Sequence, residues 1–104
     1  MDDDLLQKIK ERLRSLYGDR LKGVILYGSE ARGDAAPDSD IDILVLLEGP
    51  VAVWKEIKAT INATFDLQDA AINRPITIIP VDAAGYESGA CGFYREVQRE
   101  GILL

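Results

Sequence analysis

Apolar and polar positions follow two different periods along this chain, and the switches between them outline a fold. Leu5, Leu6, Ile9, Leu13 and Leu16 recur at helical spacing, with Lys8, Glu11, Arg12 and Arg14 between them. This predicts a first helix over about residues 3–17. Asp2, Asp3 and Asp4 offer N-cap candidates and favourable charge at its start, and Gly18 is its predicted stop. Residues 24–27 read as a short buried strand ending at Gly28, after which Ser29 is expected to cap a brief helical turn through Arg32. Residues 33–39 carry loop chemistry. A second strand follows over 40–47, and its unbroken apolar run from 44 to 47 suits a central strand covered on both faces. Gly49 and Pro50 end it.

Val53, Trp54, Ile57, Ile61 and Phe65 predict a helix over about 51–66, and Tyr27, Trp54 and Phe65 are expected in the core. Residues 76–81 form a third strand whose Pro80 ends the pairing or places the strand at an edge. Residues 82–92 read as an irregular connection, and 93–100 as a short helix closed by Gly101. Leu103 and Leu104 are expected to pack or to extend a sheet edge. The expected architecture is α/β: one small domain over residues 1–104, with a mixed sheet flanked by helices.

With 104 residues the chain has room for one core and little else. At 47% apolar residues a globular fold is expected rather than disorder. No apolar run reaches the length of a membrane span, and the acidic start is the wrong charge for a secretory leader, so a cytoplasmic protein is expected. The net charge of −6, with twelve Lys and Arg spread thinly, disfavours direct nucleic-acid binding. The sequence contains no His, which excludes His-based acid–base catalysis and His metal sites. The single cysteine, Cys91, cannot form an internal disulfide and reads as a small packing residue.

The chemistry concentrates in one stretch. Gly28, Ser29, Glu30, Ala31, Arg32, Gly33 and Asp34 form a small-residue turn after an apolar strand. Asp38, Ser39, Asp40, Ile41, Asp42, Ile43, Leu44 and Val45 lead into the next. Residues two apart on a strand share a face, so Asp40 and Asp42 point together, roughly 7 Å apart along the strand, while Ile41 and Ile43 face a core. Two such carboxylates can share a hard divalent cation, and the turn upstream offers backbone N–H groups to a phosphate.

The paired strings resemble the polymerase-beta-like nucleotidyltransferase superfamily. Within it they resemble the minimal nucleotidyltransferases, small proteins often found as the antitoxin half of toxin–antitoxin pairs. The resemblance implies that superfamily's fold. It implies that Gly28 and Ser29 hold a nucleoside triphosphate, in the first instance ATP, and that Asp40 and Asp42 are the catalytic, Mg²⁺-binding carboxylates. Arg32 either pairs with Asp34 or Asp38 or approaches phosphate, and Ser39 is the hydrogen-bonding residue before the first Asp on the nucleotide side of the site. The family's third carboxylate aligns with Thr77, a neutral hydroxyl, and that strand carries no acid.

Three functions stay open on the sequence. The first is transfer of AMP from ATP to a hydroxyl of a partner protein, which the resemblance identifies with a helical HEPN-type toxin. The second is a weak or inactive nucleotide-binding antitoxin or regulatory module that acts by docking, motivated by Thr77. The third is antibiotic modification, for which the chain has no room to add an acceptor domain. The acceptor side of the site is otherwise missing, so a hetero- or homo-oligomer is expected.

Overall fold

The computed structural model describes residues 3–71 and 74–104. The chain begins with helix α1 (Asp3–Tyr17), a 3-10 turn (Gly18–Arg20), strand β1 (Leu21–Tyr27) and the helical turn α2 (Ser29–Arg32). It continues through β2 (Ile41–Leu47), α3 (Val53–Ala70), β3 (Ile76–Asp82), α4 (Ala83–Glu87), α5 (Gly92–Glu100) and β4 (Ile102–Leu103). The sheet order is β3-β2-β1-β4. β2 pairs parallel with β3, and β1 pairs antiparallel with both β2 and β4. The fold is therefore a small α/β unit with a mixed sheet. Asp2, one of the expected capping acids, lies outside the described residues.

Alternation along β2 builds two cores. Ile41, Ile43, Val45 and Leu47 face α1 and α3, packing with Leu6, Ile9, Leu13 and Leu67. Leu44 and Leu46 face the other way, against Ala83, Tyr86 and Val97 of α4 and α5. The expected central strand is thus covered on both sides. On the second face the cover stops short of the start of β2, where Asp42 is half-buried and Asp40 exposed.

Pro80 sits on β3, an edge strand, where a missing N–H costs little. Leu103 joins the sheet through β4. Four expectations are corrected. The segment after β3 is helical, because Asp82 caps α4 by accepting from the Ala84 N–H at 3.4 Å. The cap of α2 is Gly28, not Ser29. Cys91 is exposed.

The fourth correction concerns α3, which runs four residues beyond the expected end at 66 and turns a different face inward. Trp54 is 79% and Phe65 65% exposed, whereas Glu56, Thr60 and Thr64 are buried. The buried polar groups are satisfied locally. Thr60 donates to the Ile57 carbonyl at 2.8 Å, Thr64 to that of Thr60 at 2.7 Å, and Arg20 to Glu56 at 2.9 Å. Small hydroxyl-bearing side chains let the helix lie close against the sheet and leave its bulky residues outside.

Candidate active site

β1 and β2 are neighbours, and their register sets Tyr27 opposite Asp42. The turn that follows Tyr27 therefore lies directly beside the second acid of the Asp-x-Asp pair. Gly28 has φ 74°, a conformation that favours glycine. A Cβ at this position would meet Asp42 Oδ2 at 2.5 Å, so the glycine lets the carboxylate lie against bare backbone.

The turn continues as α2, whose Arg32 N–H donates to the Gly28 carbonyl at 3.1 Å. The first N–H groups of such a turn have no partner within it. The Ser29 hydroxyl has no hydrogen-bond partner among the described residues. Both features suit an anion.

Asp42 lies within reach of the charge of Asp40. The Asp42 carboxyl is pushed above the usual carboxylate range, first by burial and then by the negative charge of Asp40, with Arg32 pulling the other way. Tyr27 is pushed up to about 12, first by burial and then by the charge of Asp42. Like charges held together, with one guanidinium to offset them, suit a hard divalent cation with oxygen ligands. Among the described residues no group of three or more His, Cys, Asp and Glu side chains is poised to hold a metal. The reason is visible in the register: β3 sets Thr77 beside Asp42, and Thr77 is exposed and neutral. Asp82 pairs with Leu47 at the far end of the same strands.

Arg32 donates from Nε to Asp34 at 3.3 Å and from Nη1 to Glu100 at 3.3 Å. It is half exposed at the rim and ties the turn to α5. Ser39 closes its own loop, accepting at Oγ from the Ala36 N–H at 2.8 Å. Beneath both lies Arg74, which sequence reasoning missed. It forms an ion pair with the buried Glu30 of α2 and donates from Nε to the Ser39 carbonyl at 3.0 Å. One guanidinium thus joins the Gly28 turn to the segment that delivers Asp40. Glu30 and Glu100 were missed as well. All three act across long sequence separations, where spacing gives no signal.

A profile for the nucleotidyltransferase domain matches residues 6–84, which include all of these strands and the turn. The chain belongs to the nucleotidyltransferase domain family. It is 32% identical over 74 residues to a candidate protein adenylyltransferase, MJ0141, of Methanocaldococcus jannaschii, covering 70% of this chain and 75% of that one. Among solved structures, a candidate nucleotidyltransferase from Sulfolobus solfataricus superposes with a TM-score of 0.57 at 26% identity, covering 96% of this chain and 76% of that chain. A toxin–antitoxin structure with AMP-PNP superposes with a TM-score of 0.60 at 22% identity, covering 93% and 69%; at that identity the likeness is one of fold. Family membership places the chain among the transferases. No helix among the described residues is long and apolar enough to cross a membrane.

Proposed function

We propose that this nucleotidyltransferase moves AMP from ATP to a hydroxyl on a partner protein, as the antitoxin of a toxin–antitoxin pair whose toxin is a helical HEPN-type protein. Residues 1–104 would act as one minimal catalytic domain in the cytoplasm. The observation that carries the reading is the apposition of Asp42 to the bare backbone of Gly28, with Asp40 alongside. A triphosphate on the turn would then lie beside the two acids.

In this reading the Ser29 hydroxyl and the first N–H groups of α2 hold phosphate oxygens, and Arg32 guards the rim. Ser39 fixes the loop that delivers Asp40. Asp40 and Asp42 would hold Mg²⁺, which when bound neutralises charge on the transferring phosphate. Phosphoryl chemistry asks mainly for positioning, and the rigid strand supplies it. The likeness to a named protein adenylyltransferase supports a protein acceptor, and the likeness in fold to toxin–antitoxin structures fits the pairing with a toxin.

The test incubates the chain with labelled ATP, Mg²⁺ and the product of the adjacent gene. Label should pass to the partner, and Asp42→Asn should abolish transfer. No transfer, or equal transfer by Asp42→Asn, overturns the reading. Thr77 supports a second reading, in which the chain neutralises its partner by docking alone. That reading wins if the double variant Asp40→Asn, Asp42→Asn still neutralises a co-expressed toxin fully.

A further inference from the structure

The apolar ridge on α3 has no use in the site just described. Trp54 is 79% exposed, Phe65 65%, Val53 48% and Ile61 45%, all on one helix. Ile57 lies half-buried between them, so Val53, Ile57, Ile61 and Phe65 form an i±4 row. Such a row is a ridge that fits the groove of a second helix. We propose that this ridge docks a second copy of the chain, the two α3 helices lying antiparallel about a two-fold axis near Ile61.

The charges select that occupant. The exposed Lys55 and Lys58 stand in the first half of α3, and the exposed Asp66 and Asp69 in the second. At 3.6 residues per turn, all four fall on the same flank of the ridge. In a two-fold contact, residue i meets j and j meets i. An axis near Ile61 sets Ile57 against Phe65 of the second copy and Trp54 against its Gln68. The same axis brings the lysines of each copy to the aspartates of the other, on both sides at once. A parallel pair would carry these flanks to opposite sides of the contact and leave the lysines and aspartates without each other.

Lys55, Lys58 and Asp69 form no ion pair among the described residues, while Asp66 already holds Arg12 at 2.7 Å. Each large aromatic can bury on the order of 200 Å². Four of them in a symmetric pair supply a large part of the roughly 1,200 Å² of a small specific interface.

Sedimentation velocity of the intact chain, from micromolar to submillimolar concentration, tests this. A monomer–dimer equilibrium is expected. Trp54 is the only tryptophan, so its emission should shift to the blue as the dimer forms. Ile61→Glu, an exposed change that leaves circular dichroism unaltered, should give a monomer throughout. Lys55→Glu and Asp69→Lys should each weaken association about tenfold, and combining them should restore it. Asp69→Lys is the sharper variant: it makes the chain less negative, so general repulsion alone would strengthen association. A wild-type monomer across the range overturns the proposal. So does a dimer indifferent to Ile61→Glu, a double swap that fails to restore association, or a Trp54 shift seen only with a different protein.

Discussion

At the scale of single residues, the site is a match between an absence and a charge. Gly28 has no side chain where Asp42 needs room, and Thr77 has no carboxylate where a third acid would sit. On the proposed reading the first absence makes room for the site, and the second would limit its chemistry. A threonine hydroxyl cannot accept a proton from an attacking alcohol near neutral pH, whereas a carboxylate in the same place can. Thr77 lies level with Asp42 on the neighbouring parallel strand and is exposed, so a slightly longer side chain is accommodated. Thr77→Asp should therefore raise the single-turnover rate of AMP transfer by about 100-fold, within the range general base catalysis supplies. It should also lower the melting temperature in metal-free buffer, because a third negative charge joins two that already repel. An unchanged rate would mean that proton removal is not what the native site lacks.

Among the elements, the decisive contact is the one Arg74 makes. It enters just before β3, yet it grips Glu30 of α2 and the carbonyl of Ser39 at the mouth of β2. It touches neither acid of the site, so it is a positioning residue. Arg74→Ala leaves the buried Glu30 without its partner and frees the turn to move against Asp40. The expected result is a fall in kcat of at least tenfold with a smaller change in KM, partly restored by Arg74→Lys, which keeps the charge but not the two-pronged geometry. A loss of stability with kcat intact would make the contact merely structural.

This clamp also shows where the sequence stops being informative. The Gly-Ser turn and the Asp-x-Asp strand are consecutive in the chain, and their alternation alone orients the acids, so that part of the site could be read from the residues. The succession of elements along the chain and the two-sided burial of β2 were equally readable, whereas Pro80 left the edge position of β3 as one of two readings and the order of strands in the sheet came only from the structure. The clamp joins residues 44 positions apart, and no local pattern marks such a pair. The error on α3 has a different origin. A helical period reports that a helix exists, but this helix has two candidate inner faces. The bulkier stripe looks like the core until close packing against the sheet and α1 selects the face of Thr60 and Thr64.

For the whole molecule, charge is the governing quantity. With eighteen acids against twelve bases, the chain repels a free triphosphate at long range. Its site adds the local repulsion of Asp40 and Asp42. Nucleotide and divalent cation are therefore expected to bind as a unit, each making the other's binding possible. ATP alone should leave the melting temperature unchanged, and Mg²⁺ alone should raise it slightly. Together, at about a hundred times the dissociation constant, they should raise it by on the order of 10 °C.

Asp42→Asn should invert this pattern. The Asp42 carboxyl titrates above its ordinary range in the fold, so the folded state binds that proton more tightly than the unfolded chain. Folding stability then falls as pH rises through the raised value, and the penalty is fully present at neutral pH. Removing the charge should raise the ligand-free melting temperature at pH 7 by roughly 2 °C, a small gain because solvent screens the half-buried group. Below the ordinary carboxylate range the gain should vanish, since Asp42 is then neutral in both states. The same variant should lose the response to ATP with Mg²⁺. A variant that is no more stable at pH 7 would mean that Asp42 is not the strained charge, and one that still responds to the pair of ligands would mean that it is not the cation's anchor.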